Sequence, residues 1–151
     1  MTTPAKFRAD VSEFVRKTQL APDLVLRKLA LDAYAGIIKR SPVDTGRFRS
    51  SHRLTINRID PSVEPPRASR SSRAGVTREA SPSDLNRVQG TLSRARFGVT
   101  VHITNSLPYA RRLENGWSAQ TNNQPDGIYG ATFRELAANL SRAVGEVRRQ
   151  L

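Results

Sequence analysis

The sequence contains no cysteine and only two histidines, His52 and His102. The lack of cysteine excludes disulfide bonds and thiol nucleophiles, and two isolated histidines are too few for a typical zinc site. We therefore expect no metal and no cofactor. Each histidine lies in or beside a strand-like pattern, so we expect both side chains to be exposed and assign neither a catalytic role.

Long apolar runs are also missing. None approaches the ~18 residues that a membrane-spanning helix needs, and Met1 to Asp10 lacks the apolar core of a signal peptide. We therefore expect the chain to act where it is made, in the cytoplasm, without a membrane partner. Phosphate-binding loops, dinucleotide fingerprints, zinc-protease motifs and nucleophile elbows are absent as well, and the carboxylates are scattered. The sequence thus predicts a non-enzyme.

Lysine is scarce, although the chain is strongly basic. Lys and Arg total 25 against 13 Asp and Glu, which gives a net charge of +12, and only four of the basic residues are lysine. Arginine recognises phosphate and carboxylate through a bidentate fork, but a GC-rich genome also favours arginine over lysine. Under either explanation the net charge attracts acidic partners, either nucleic acid or acidic protein surfaces.

Three segments have the apolar periodicity of helices. Pro4 to Gln19 has a narrow apolar stripe, so that helix needs a partner surface. Pro22 to Arg40 has a broad apolar face and a proline in its first turn, which favours a helix start. Thr132 to Leu151 has one continuous stripe, and the spacing of Thr132 and Glu135 predicts a capping box at its beginning.

Two segments have the alternation of strands. His52 to Ile59 and Phe97 to Thr104 place apolar residues at every second position, and we expect them to pair. The fold class that follows is α+β. We predict one domain, residues 1–151, in which a small antiparallel sheet packs against two long helices.

Shorter elements are predicted between these segments. Leu85 to Ala95 fits either a short helix or an irregular lead-in to the second strand. Tyr109 to Glu114 should form a short helix that stops at Gly116, because glycine readily adopts the left-handed conformation that ends helices. Glu114 could pair with neighbouring arginines across a subunit interface, or only locally.

Residues 60–86 are predicted to form a long basic insertion in this fold. They are rich in proline, serine and arginine, and almost none of them suits a core, so we expect a loop. One hypothesis is a floppy surface insertion. The other is an arm that becomes ordered during assembly, against DNA or a neighbouring subunit. The arginines available for such contacts are Arg67, Arg70, Arg73 and Arg78.

The segment 41–51, Ser-Pro-Val-Asp-Thr-Gly-Arg-Phe-Arg-Ser-Ser, joins the second helix to the first strand. Pro42 ends the helix, Asp44 is a turn former, and Gly46 is free to adopt a positive φ. Aspartic proteases also carry Asp-Thr-Gly at their nucleophile turn, and a homodimer would supply the second carboxylate. That turn should follow an apolar strand and precede a small residue, whereas here it follows a basic helix end and precedes a bulky Arg-Phe pair.

The same segment resembles the hallmark of a family of small bacteriophage neck proteins. These are the tail-completion, head–tail joining and minor tail proteins of long-tailed phages and gene transfer agents. Members typically read Pro-Val-Asp-Thr-Gly-Arg-Leu-Arg-x-Ser after an amphipathic helix, and later a strand, Tyr-Ala and Glu-x-Gly. This chain has Pro-Val-Asp-Thr-Gly-Arg-Phe-Arg-Ser-Ser at 42–51, then Tyr109-Ala110 and Glu114-Asn115-Gly116. The 60–86 insertion is long against the family pattern, so the resemblance implies nothing about its use.

The resemblance implies a structural virion protein at the head–tail interface, a closed ring with six-fold or twelve-fold symmetry that completes the tail and joins it to the capsid connector. Its neighbours would be connector, head-closure and tail-terminator or tail-tube proteins. DNA in the lumen would meet arginines without sequence specificity. The protein would reside in the virion, and in the host cytoplasm during assembly. The residues assigned to subunit or partner contacts are Asp44, Thr45, Gly46, Arg47, Phe48, Arg49, Tyr109, Arg112, Glu114, Gly116 and Trp117.

A second hypothesis is a basic nucleic-acid-binding protein that acts alone. It explains the net charge and the arginine-rich insertion. However, basic residues are spread along the whole chain, and aromatic residues make up only 6% of it. Few rings are therefore available for stacking on bases.

Overall fold

The structure is a computed structural model that describes residues 3–18, 21–42, 46–66, 80–116 and 127–150. Within those ranges the chain forms helices and one two-stranded antiparallel sheet, so the predicted α+β class is confirmed. No helix there is long and apolar enough to cross a membrane. The elements in chain order are α1 (Pro4–Thr18), α2 (Pro22–Arg40), α3 (Arg47–Ser50), β1 (Arg53–Ile56), α4 (Pro82–Leu92), β2 (Val101–Thr104), α5 (Ala110–Glu114), α6 (Tyr129–Ala138) and α7 (Leu140–Gln150).

Helix α2 lies at the centre of the fold. It begins and ends where the sequence predicts, with Pro22 in the first turn and Ser41 as the C-cap residue before Pro42. Its apolar residues are distributed around much of its circumference, as expected of a helix that is covered on more than one side. The buried ones are Val25, Leu29, Ala30, Ala33, Tyr34, Ile37 and Ile38.

One side of α2 packs against the other long helices. Val25, Leu29 and Ala33 form a cluster with residues from both ends of the chain. Lys28 adds an ion pair with Glu146 of α7, at 2.8 Å. The partners in this cluster are Val11 of α1, Leu136 of α6, and Val144 and Val147 of α7. The narrow stripe of α1 thus has the partner surface that the sequence requires.

The other side of α2 packs against the sheet and α4. In the antiparallel ladder Leu54 lies opposite Ile103 and Ile56 opposite Val101. These four side chains pack against a cluster that includes Tyr34 of α2. The predicted pairing of the two strands is therefore confirmed, although Thr55, between Leu54 and Ile56, is also buried. Helix α4 closes this cluster with Val88 and Leu92, which are buried.

Both strands are shorter than predicted. The ladder ends because Asn57 adopts a left-handed conformation, with φ 59°, and its side-chain oxygen accepts the backbone N–H of Thr100 at 2.9 Å. On the other strand Gly98 has φ 101°, which turns the chain before Val101. Phe97, predicted to lie in the strand, is 42% exposed in that turn.

The predicted C-terminal helix is two helices. The break falls at Asn139, whose side-chain amide and backbone N–H both donate to the carbonyl oxygen of Glu135, at 2.9 Å each. Such local side-chain bonds compete with the helical ladder. The predicted capping box is also wrong, because Thr132 lies inside α6 and its hydroxyl donates to the carbonyl oxygen of Ile128 at 2.7 Å.

The two ends of the 60–86 segment are ordered against the fold, contrary to the prediction that almost nothing in it packs. Val63 packs against a buried cluster, and the carboxylate of Glu64 pairs with Arg53 at 3.1 Å. At the other end Ser81 caps α4 by accepting the backbone N–H of Asp84. Residues 67–79 lie outside the described ranges, and with them the predicted contacts at Arg67, Arg70, Arg73 and Arg78.

Candidate functional site

The corner after α2 contains the first group of predicted contact residues. Gly46 has φ 81° and is the N-cap residue of α3, so the predicted positive φ is confirmed. Arg47 donates from Nε to the carbonyl oxygen of Glu64 at 2.7 Å, which ties α3 to the segment after β1. Arg49 is half-buried. Asp44 and Thr45 lie outside the described ranges, so the protease hypothesis is not addressed by the geometry.

Phe48 anchors this corner in the core. Its side chain is 6% exposed and packs with Ile37 and Leu107. Its ring contacts the ring of Tyr109, with centroids 6.2 Å apart. Its carbonyl oxygen accepts the side-chain amide of Asn105 at 2.8 Å. The two motif segments of the sequence are therefore in direct contact.

The second motif segment forms α5 and its C-terminal stop. Gly116 has φ 84°, and its backbone N–H donates to the carbonyl oxygen of Leu113, so the predicted stop is confirmed. Tyr109, the N-cap residue of α5, is 36% exposed, and Arg112 within α5 is exposed. Trp117 lies outside the described ranges. This segment thus presents a surface beside the corner while its other side packs inward.

Glu114 has a role that its sequence context does not reveal. Its carboxylate accepts the backbone N–H groups of Ile128, Tyr129 and Gly130, at 2.8, 2.9 and 3.0 Å. These are the first N–H groups of α6, which have no partner within the helix. A carboxylate at this end also complements the helix dipole. Glu114 is therefore the N-terminal cap of α6, supplied from a different helix, rather than a surface charge beside Arg111 and Arg112.

Gly127 makes that cap possible. It has φ 74°, and a Cβ built at this position would lie 2.6 Å from the carbonyl oxygen of Glu114. Only glycine therefore allows the chain to approach α5 so closely before it enters α6. Because α6 packs on α2, this contact sets how the motif segment is attached to the central helix.

His52 lies in a buried hydrogen-bonded relay, and the prediction that it is exposed is wrong. Its side chain is 1% exposed. Nε2 lies 2.7 Å from the hydroxyl of Ser41, and Nδ1 lies 2.7 Å from the hydroxyl of Tyr129. The Ser41 hydroxyl donates its proton to the carbonyl oxygen of Ile37. His52 must therefore donate from Nε2 to Ser41, and Nδ1 must accept from Tyr129.

The electrostatics of the relay agree with this proton arrangement. Burial, with the nearby charge of Arg53, lowers the pKa of His52 to about 3. Burial, with the charge of Glu114, raises the pKa of the Tyr129 hydroxyl. The imidazole is therefore neutral and the phenol protonated near neutral pH. An activated serine would donate to histidine, and here the direction is reversed, so the relay joins α2, β1 and α6 without activating Ser41.

The buried position of His52 predicts that the free energy of unfolding falls in acid. His52 has its pKa lowered from 6.5 to about 3 on folding, so its stabilising contribution is complete above about pH 6.5 and is lost as the pH falls towards 3. At about pH 5 the free energy of unfolding should be roughly 2 kcal/mol lower than at neutral pH through this group alone. Urea unfolding at the two pH values measures the difference.

Two substitutions serve to assign that effect. His52→Gln should be less stable at neutral pH but should lose most of the pH dependence, because no buried imidazole remains to be protonated. His102→Gln is the matched control, since His102 is half-buried opposite Thr55 in the ladder, and it should keep the wild-type dependence. Equal urea midpoints of the wild-type protein at both pH values would contradict the assignment.

Metal ligation has no support in the described ranges, where no group of three or more His, Asp or Glu side chains could hold an ion. Comparisons with known proteins gave no match. The sequence matches no protein-family model and no curated protein, and no solved structure matches the fold. A functional proposal for this chain therefore depends on its motif residues and on where the fold places them.

Proposed function

We propose that this chain is a structural virion protein of the bacteriophage neck, which forms a ring that completes the tail and joins it to the capsid connector. One observation supports the proposal most. The two segments on which the family resemblance depends meet in the fold, where the rings of Phe48 and Tyr109 lie with their centroids 6.2 Å apart. A chance likeness of short motifs would not require them to be neighbours.

In this proposal the motif residues have two different tasks. Gly46, Phe48 and Glu114 shape the corner and attach it to the core, because each is used within the chain. Tyr109, the N-cap residue of α5, and Arg112 within α5 remain exposed and are the residues that we assign to a neighbouring subunit. A ring needs such a heterologous contact, repeated until the rotation closes.

The proposed contacts with DNA follow from the positive net charge of the chain. DNA that passes through the neck would meet arginines of the ring, and phosphate contacts without sequence specificity would suffice. The long basic insertion, with its arginines between residues 67 and 78, would reach a neighbouring subunit or the DNA. We further infer a non-enzymatic role in the virion, after assembly in the host cytoplasm. A nuclease or peptidase activity abolished by Asp44→Asn would contradict that inference.

Virions made without this gene test the proposal. We expect electron microscopy to show separated full heads and tails, because no ring connects them, and complementation should restore joined particles with this protein at the neck. Arg112→Glu should fail to complement if the exposed face of α5 contacts a neighbour. Arg142→Glu, the same charge reversal at an exposed position of α7, is the control and should complement. Joined particles that lack this protein would overturn the proposal.

A further inference from the structure

A groove of about 620 Å³ lies between β1 and α4, and none of the motif residues is in its lining. Its most buried lining residues are His52, Tyr34 and Val88, at 1%, 2% and 4% exposure, so its base is formed by the core. Its outer part is basic. The arginines that line it are Arg53, Arg58, Arg87 and Arg94.

The acidic residues around the groove form ion pairs with two of these arginines. Arg53 pairs with Glu64 at 3.1 Å, and Arg87 pairs with Asp84 at 3.2 Å, so both guanidinium groups are held in place. Among the residues that the structure describes, neither Arg58 nor Arg94 has an ion-pair partner. Both are exposed.

The charge of the groove is therefore a local excess of arginine around a preformed cavity. Asp60 is the one carboxylate that lines it, and hydrogen bonds from Ser62 hold the pKa of Asp60 below its usual range, so it stays ionised. With Glu64 and Asp84, which pair with Arg53 and Arg87, three carboxylates face the four arginines, so a small excess of arginine remains. Guanidinium groups recognise oxyanions through paired N–H donors, and the volume falls in the range of small-ligand sites, large enough for a nucleotide unit.

We propose that this groove binds the phosphodiester backbone of nucleic acid, with Arg58 and Arg94 contacting phosphate oxygens. The net charge of +12 would steer a polyanion to the chain. Backbone binding requires only cationic donors, and the arginines of the lining supply these. The hydroxyls of Thr55 and Thr91 donate within the chain, to the carbonyl oxygens of Arg58 and Arg87. The two rings in the lining, Tyr34 and His52, are both buried, so the contacts are to phosphate and not to bases.

The inference does not depend on the neck role, and the isolated chain tests it. Fluorescence anisotropy with labelled DNA of about 20 nucleotides, single-stranded and duplex, would be measured between about 50 and 200 mM salt. The variant Arg58→Ala/Arg94→Ala should bind at least about tenfold more weakly at 100 mM salt. The slope of the logarithm of its binding constant against the logarithm of the salt concentration should be shallower by about 1–2, because each lost phosphate contact removes roughly 0.7–0.9 from that slope.

A matched variant separates this groove from diffuse surface charge. Arg8→Ala/Arg148→Ala removes the same charge from exposed positions on α1 and α7, and it should weaken binding by less than about threefold. Arg58→Lys/Arg94→Lys keeps the charge but removes the bidentate fork, so its affinity should be intermediate. Circular dichroism should show unchanged folding in all three variants.

Three outcomes would overturn the inference. The first is equal weakening by both double alanine variants, which would show that the binding is diffuse. The second is the absence of DNA binding by the wild-type chain at 50 mM salt. The third is displacement of the DNA by polyglutamate at equal charge concentration, with the same dependence on Arg58 and Arg94, which would identify an acidic protein segment as the ligand.

Discussion

Replacing Glu114 by alanine should lower the free energy of unfolding by about 3 kcal/mol. The substitution leaves three partly buried N–H groups at the start of α6 without an acceptor, and it removes a negative charge from the positive end of that helix. Hydrogen bonds to a charged group contribute about 1.5–3 kcal/mol, and an abandoned buried donor adds its own penalty. Denaturant unfolding followed by circular dichroism measures the loss.

Glu114→Gln refines this prediction because it keeps the shape of the side chain. Its one carbonyl oxygen can still accept from Ile128 and Tyr129, which share Oε2 in the wild type, but its NH₂ group would face the N–H of Gly130. We expect an intermediate loss of about 2 kcal/mol. Glu135→Gln in α6 is the control, since its ion pair with Arg40 is half exposed and contributes under about 1 kcal/mol. If Glu114→Gln and Glu135→Gln lowered the free energy of unfolding equally, the role of Glu114 as the cap of α6 would be contradicted.

Replacing Gly127 by alanine should be at least as damaging, with an expected loss of about 3 kcal/mol or more. The left-handed conformation, φ 74°, costs an alanine about 1–2 kcal/mol. The new methyl group would also lie 2.6 Å from the carbonyl oxygen of Glu114, and a backbone atom cannot rotate away as a side chain can. Thermal and denaturant unfolding would both report the loss.

Gly90→Ala is the matched control for Gly127→Ala. Gly90 lies inside α4, and no atom comes within 4 Å of a Cβ built there. The substitution should therefore stabilise the protein by up to about 1 kcal/mol, through helix propensity. The double variant Glu114→Ala/Gly127→Ala should lose less than the sum of the two single losses, because both disrupt the same contact. A Gly127→Ala protein as stable as the wild type would refute the close approach.

Local patterns predict the local structure of this chain well. The bounds of α2 follow from Pro22, Pro42 and the apolar residues between them, and the left-handed turns at Gly46 and Gly116 follow from glycine chemistry. The strand pairing agrees with alternation, because a slip of one residue from the observed register would move Leu54 and Ile103 to opposite faces. In each case the residues that decide the structure are close in sequence or share a simple period.

The site was harder to predict from the sequence than the helices and strands, because its polar residues bind partners that lie far away along the chain. His52 contacts Tyr129, which is 77 residues away, and Glu114 caps a helix that begins 15 residues later. A local rule assigns Glu114 to neighbouring arginines and makes Thr132 a cap. The geometry instead gives α6 an acceptor from α5, which leaves Thr132 free to donate inside the helix. No local propensity encodes such a choice.

The position of α2 between two layers has a consequence during synthesis. Residues emerge from the ribosome from the N-terminus, so α2 leaves about a hundred residues before α6 and α7 are complete. Until then Val25, Leu29 and Ala33 lack Leu136, Val144 and Val147, their C-terminal partners. The nascent chain therefore carries an apolar helix whose native cover is synthesised much later, and its contacts of long sequence separation slow its folding.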